Sequence, residues 1–229
     1  MFALRDSRDG DVSRLRVDVA FTDSSLDLQG LRDDFPEGLA RLEEVVGVPL
    51  ARLSQVHGAD VLVVDAPMAL GEVPFADGLV TTTRGLGLMV RAADCVPLLL
   101  ADPEAGVIGA VHAGRPGMAL GIASRAVAVM REQGATTISA WLGPRVCGSC
   151  YEVPEQMRAD VSAVVPEAWA ETSWGTPALD IGAGVRAQLE RAGVDVVDVA
   201  RCTLEDANLH SYRRDGKAAG RHGGLVWLS

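Results

Sequence analysis

Two apolar runs in the middle of the chain, residues 91–102 and 106–114, carry reactive side chains at their ends. Cys95 opens the first run just after Asp94, and His112 closes the second. Apolar strands need neither a thiol nor an imidazole at their ends to pack, so the pair asks for a chemical explanation. The chain has 4 histidines, and His57 sits like His112 at the mouth of an element, in the turn-forming stretch SQVHGAD at 54–60. Neighbouring strand ends would bring His57, Cys95 and His112 together. Two imidazoles and a thiolate form a soft donor set suited to zinc, with a fourth position open to water or substrate. The metal would keep Cys95 ionised and acidify a bound water. Two alternatives stay open on spacing alone. The histidines can be satisfied turn residues and Cys95 a small buried side chain, or Cys95 can be a nucleophile activated by His112 and oriented by Asp94. Ligation and free nucleophilicity are mutually exclusive uses of the same sulfur.

A second concentration of functional groups lies at 211–222, where Arg213, Arg214, Lys217 and Arg221 crowd together in an otherwise acidic chain. Adjacent arginines in a glycine-punctuated loop suit bidentate capture of phosphate or carboxylate, the alternative being a solvated charge run. Cys147 and Cys150 form a lone CxxC. A zinc half-site needs a second pair and a redox pair needs a helix N-terminus, so this segment reads as an ordinary loop. The dinucleotide fingerprint, the GxSxG elbow and the HExxH motif are absent from the sequence, and GAG at 182–184 lacks the third glycine.

The elements that must position these residues follow from hydrophobic periodicity and turn residues. Strands are expected at 15–22, 53–56, 60–64, 77–83 and 86–92, at the two central runs, and at 138–142, 194–200 and 225–228. Helices are expected at 36–47, 116–133, 153–164 and 181–192, while 143–150 and 202–224 read as loops. Strands outnumber helices and often follow one another directly, which makes the fold α+β or a mixed-sheet α/β arrangement.

Composition narrows the function. A net charge of −10 and a pI near 4.8 argue against nucleic acid or an anionic membrane as partner. Apolar residues make up 48% of the chain, enough for a core without disulfide staples. No stretch is apolar enough to span a bilayer and no secretory leader is visible, so a cytoplasmic location is expected.

The order of the motifs resembles one family. SQVHGADV (54–61), ADGLVT (76–81), ADCVPL (93–98), VHAG (111–114), WLGP (141–144), CYEV (150–153), the Cys202-Thr203 pair and SYRRDG (211–216) run in register with the laccase-domain family. That family is also described as multicopper polyphenol oxidoreductase-like, purine nucleoside phosphorylase-like, or peptidoglycan editing factor. The resemblance implies a single α+β domain over 1–229, with mixed sheets packed face to face and helices outside. It implies a metal site of His57, Cys95 and His112, holding Zn2+ rather than Cu2+. It also implies cleavage of purine nucleosides by phosphate, with adenosine deamination as a side activity. Cys95, His112, Asp94 and Glu152 are then the expected catalytic residues, with Tyr151 a further candidate proton donor. Gln55, Arg213, Arg214 and Arg221 are expected to bind substrate or phosphate. Alternatives within the resemblance are a peptidoglycan-precursor hydrolase using Cys95 and His112, a non-enzymatic metal-binding module, and a copper-dependent polyphenol oxidase. The sequence departs from the family pattern at 112–117, where HAGRPG replaces HAGWRG, and at 23–30, where an arginine and a glycine pair are missing.

Overall fold

The computed structural model describes residues 1–69 and 71–229. In chain order the strands are β1 (Phe2–Asp9), β2 (Arg16–Thr22), β3 (Leu50–Ala51), β4 (Val61–Val63), β5 (Gly78–Thr81), β6 (Gly87–Ala92), β7 (Val96–Asp102), β8 (Val107–Ala113), β9 (Ser139–Leu142), β10 (Trp169–Glu171), β11 (Pro177–Leu179), β12 (Asp195–Asp198) and β13 (His222–Leu228). The helices are α1 (Phe35–Val46), α2 (Arg115–Ala119), α3 (Ile122–Glu132), α4 (Glu155–Val164), α5 (Ile181–Arg191) and α6 (Tyr212–Asp215).

Every residue of β7 and β8 is buried, which is why these strands read as continuous apolar runs rather than as alternating ones. They pair antiparallel at the centre of a sheet ordered β12-β9-β7-β8-β5-β4, with Pro97 opposite His112. A second sheet runs β1-β2-β13-β6-β3. Both are mixed: β4 and β12 pair parallel with their neighbours in the first, and β3 does so in the second.

Side chains alternate between two cores along each inner strand. Leu99 and Ala101 of β7 meet Val19 and Phe21 of β2 and Val226 of β13 between the sheets. Leu98 and Leu100 face the other way, toward Ile122, Ala126 and Met130 of α3 and Val185 and Leu189 of α5. The outer face of the second sheet is closed by Leu39, Leu42 and Val46 of α1, which pack on Met89, Leu225 and Trp227. The protein is thus a single α+β domain of two mixed sheets packed face to face, flanked by helices, as the sequence led us to expect. Among the described residues no helix is long and apolar enough to cross a membrane.

Four local expectations are corrected. The helix expected at 116–133 is two helices, because Gly121 takes φ +79 and turns the chain between α2 and α3. The apolar spacing survives the break, so periodicity alone does not reveal it. The strand expected at 53–56 shrinks to an isolated bridge between Ser54 and Phe75, and the pairing moves upstream to β3. β1 was not expected: its charged sequence FALRDSRD suits an edge, where charges block pairing with another molecule. The short helix α6 arises inside the expected 202–224 loop, and the hairpin of β10 and β11 in a stretch where no element was expected.

Candidate active site

Asp77 organises the centre. It lies just before β5, opposite the end of β8, where the amide of His112 donates to its carbonyl at 2.7 Å. Its side chain is fully buried, a state that a carboxylate tolerates only when paired and hydrogen-bonded. Oδ1 accepts from the Nδ1–H of His112 at 2.8 Å and from the amide of His57 at 3.0 Å, and Oδ2 accepts from the amides of Gly58 at 2.7 Å and Val56 at 3.2 Å. Wrapping three successive amides around one carboxylate holds His57 in the left-handed region, at φ +61. Burial alone would raise the Asp77 pKa, but the His112 hydrogen bond and the backbone amides hold it below the usual value.

The carboxylate can only accept, so Nδ1 of His112 carries a proton and Nε2 is the ring atom that would ligate a metal once its own proton is displaced. Nε2 of His57 lies 3.8 Å from the Cys95 sulfur, and the two imidazole rings meet edge to face with centroids 4.8 Å apart. The ligand atoms of His57, Cys95 and His112 all lie within 4.8 Å of one another. For zinc bonds of the usual lengths, the nitrogen–sulfur edge of a tetrahedron is about 3.6 Å. The group therefore fits a metal ion, and Asp77 supplies the outer carboxylate that commonly orients a metal-binding imidazole. Gly114 is required for this closeness. A Cβ there would stand 2.6 Å from His57 Cδ2 and 3.3 Å from the Cys95 sulfur.

The electrostatics pair a Cys95 thiolate with a His112 imidazolium, whose Nε2 proton a metal ion would displace on binding. Burial pushes the Cys95 thiol up, but the charge of His112 and hydrogen bonds from both imidazoles outweigh it and bring the thiol down to about 6. Burial would lower His112, yet the Cys95 sulfur and Asp77 raise it to about 9.

A cleft of about 750 Å³ opens over this centre. Gln55, His57, Asp94, Cys95, His112, Arg213 and Arg221 border it, as does Tyr151. Glu152 and Arg214 face elsewhere. The Glu152 carboxylate accepts from the Trp174 indole at 2.8 Å, and the Arg214 guanidinium donates to the carbonyls of Thr203 and Leu209 at 3.0 and 2.7 Å. Asp94 lines the cleft through a carboxylate already engaged, accepting from the Thr203 hydroxyl at 2.6 Å and the Arg213 amide at 2.7 Å. The Gln55 amide exchanges hydrogen bonds with the backbone of Arg91, donating at 2.7 Å and accepting at 2.8 Å.

Sequence reasoning missed two residues. Asp77 was hidden in a motif that also reads as a turn before a strand. Arg91 was hidden inside β6, although a lone cation in the run GLMVRA was a usable signal. Its guanidinium reaches the cleft and donates to the carbonyls of Leu28 and Leu53. Burial, followed by the charges of Arg52 and Arg221, lowers its pKa to about 10. Among the described residues, Arg91, Arg213 and Arg221 make no ion pair with a carboxylate. Three cations without counter-ions thus border one cleft.

The CxxC loop also departs from its plain reading. Cys147 and Cys150 meet Cys202 and Glu205, their donor atoms within 4.8 Å of one another. The missing partners come from a segment far along the chain, with Cys202 55 residues beyond Cys147, delivered by folding rather than by spacing.

Comparison with known proteins places this geometry in context. The model of a family described as multi-copper polyphenol oxidoreductase laccase matches residues 5–229. A Streptomyces coelicolor protein named purine nucleoside phosphorylase is 54% identical over 213 residues, covering 89% of this chain and 88% of its own. A Corynebacterium glutamicum protein of the same name is 46% identical over 206 residues, covering 85% and 83%. A solved Neisseria meningitidis protein superposes with a TM-score of 0.81 at 28% identity, covering 98% of this chain and 99% of its own.

Proposed function

This chain belongs to the multi-copper polyphenol oxidoreductase laccase family, and from that premise we propose that it is a purine nucleoside phosphorylase, converting a nucleoside and phosphate to the free base and ribose 1-phosphate. The observation that carries the reading is the meeting, in one cleft, of the His57, Cys95 and His112 donor set with Arg91, Arg213 and Arg221, which have no carboxylate partner. Phosphate supplies the charge those arginines lack, and Arg91, the cation among them whose pKa burial lowers, binds an anion more strongly than a surface arginine does. Arg213 also stacks over the Tyr151 ring at 4.4 Å, giving the cleft a flat wall against which a purine can lie. In the reaction a phosphate oxygen bonds to C1′ while the C1′–N9 bond breaks, and its electron pair goes to the base, which takes up a proton. Of the candidate donors, Tyr151 borders the cleft, whereas Glu152 is held by Trp174 and Asp94 by Thr203 and Arg213. We therefore assign that proton to Tyr151. Zinc, the metal this donor set suits, would supply Lewis acidity toward an oxygen in the cleft. His57, Cys95 and His112 would hold it, with Asp77 fixing the His112 ring. The adenosine deaminase side activity is a different displacement in the same cleft: water adds to C6 of the purine, the C6–N6 bond breaks and ammonia leaves, with the C1′–N9 bond intact.

The test is turnover of inosine, adenosine and guanosine by metal-replete protein, with and without phosphate. The expected result is base release that requires phosphate and is lost in Cys95→Ala. No base release from any of the three overturns the assignment. The closeness of Cys95 to His57 and His112 also favours a second reading, a hydrolase with Cys95 as nucleophile, acting on peptidoglycan precursors. That enzyme is inactivated by thiol alkylation and indifferent to chelators; the phosphorylase is sensitive to chelators.

A further inference from the structure

We propose that Cys147, Cys150, Cys202 and Glu205 form a second metal site, closed and structural, that takes zinc and braces one wall of the cleft. The site is separate from His57, Cys95 and His112, and its existence does not depend on the phosphorylase reading.

The argument starts in the sheet. β9 and β12 pair in parallel register, with Leu142 opposite Asp198, so both strands leave the sheet at the same end and side by side. The pairing continues past the strands in an isolated bridge between Arg145 and Cys202, where the Thr203 amide donates to the Arg145 carbonyl at 3.0 Å. Cys202 therefore arrives beside the turn that carries Cys147 and Cys150. That turn is tight, with the amides of Cys150 and Tyr151 both donating to the Cys147 carbonyl at 3.0 Å. It points both sulfurs at the same space. The Cys147 amide approaches the Cys202 sulfur at 3.5 Å, and the Cys150 sulfur lies 3.5 Å from Glu205 Oε1.

The chemistry of this donor set is specific. All four cysteines of the chain are free, and three of them converge here with a carboxylate, their donor atoms within 4.8 Å of one another. In a tetrahedral zinc centre with zinc–sulfur bonds of about 2.3 Å, the sulfur–sulfur edge is about 3.8 Å, so the cluster is already close to ligating size. Four protein donors complete the coordination, which is the mark of a structural centre. The histidine site, by contrast, has three donors and an open flank toward the cleft.

Its position gives the centre a task. Tyr151, which follows Cys150, borders the cleft and lies beneath Arg213. Thr203, which follows Cys202, donates its hydroxyl to Asp94 beside Cys95. The bound ion would tie the Tyr151 loop to the Thr203 loop and so act as a positioning device for Tyr151, Arg213 and Asp94.

The test is metal content under reducing conditions after growth with zinc. We expect two zinc ions per wild-type chain, one in Cys147→Ser, one in His57→Ala, and none in the double variant. Cobalt loaded into His57→Ala reports on the second site alone. It should give the thiolate-to-cobalt charge-transfer absorption of a sulfur-rich tetrahedral centre, and Glu205→Gln should shift that spectrum and weaken binding roughly ten-fold. The cobalt spectrum and Glu205→Gln need no cysteine variant to fold. One zinc per wild-type chain, lost with His57→Ala and untouched by Cys147→Ser, would overturn the proposal. So would the absence of sulfur-to-cobalt bands in His57→Ala, or a Cys147–Cys150 disulfide in protein isolated with thiols blocked. None of these readouts uses turnover, so a failed phosphorylase assay leaves the second site standing.

Discussion

Replacing Asp77 by asparagine tests whether one buried carboxylate holds both histidines. The two oxygens divide the work: Oδ1 serves His112 and the His57 amide, and Oδ2 serves the Val56 and Gly58 amides. An asparagine can offer an oxygen to only one of these pairs, and its NH2 group then faces the donors of the other. Two hydrogen bonds to a charged group are lost, worth about 1.5–3 kcal/mol each. Part of this is returned because a neutral amide costs less to bury. A net loss of about 3 kcal/mol follows, which for a chain of this size lowers Tm by roughly 6–12 °C. Release of the 56–58 turn and loss of the fixed His112 tautomer should also weaken metal binding by about 10–100-fold. Thermal melts with and without added zinc, and competition against a chromophoric chelator, read the two effects separately. If Asp77→Asn melts within about 2 °C of wild type and binds zinc equally well, the carboxylate is not the organiser described here.

Other outcomes follow from the same geometry. Gly114→Ala drives a methyl group into His57 Cδ2 and toward the Cys95 sulfur. Metal retention after dialysis should fall by roughly ten-fold or more, the size of loss seen when a metal ligand is misoriented. Arg91→Met removes a cleft cation that has no carboxylate partner to strand, so the KM for phosphate should rise about 10–100-fold, as for loss of one charged hydrogen bond, in steady-state assays at varied phosphate. His222 is fully buried in β13 and its ring nitrogens have no partner. Burial, with the charge of His210, lowers its pKa to about 3 from an unfolded value of 6.5. Only the unfolded chain then takes up that proton in mild acid, so the contribution is complete above pH 6.5 and is lost as pH falls from there toward 3. In urea unfolding, the stability lost between pH 7.5 and pH 5 should be about 2 kcal/mol greater in wild type than in His222→Leu.

The primary site was legible where a residue type contradicted its local role. A thiol and an imidazole at the ends of two buried strands had no packing purpose, and that mismatch singled out Cys95 and His112. The strands themselves were legible because burial on both faces writes an uninterrupted apolar run. Gly121 was not legible, since α2 and α3 keep a common apolar spacing across the break.

Sequence by itself therefore determined the layered α+β fold, the three candidate ligands and the concentration of cations at 211–222, because periodicity and residue chemistry are local properties. Tertiary structure alone decided how the rest converge. It put Asp77 under both histidines through the β5–β8 register, separated Arg213 and Arg221 at the cleft from Arg214 behind it, and brought Arg91 out of a strand into that cleft. It also closed Cys147 and Cys150 against Cys202 through the parallel register of β9 and β12. The physical reason is the same each time: a hydrogen-bond register converts distant positions into neighbours, and no spacing along one chain records which registers will form.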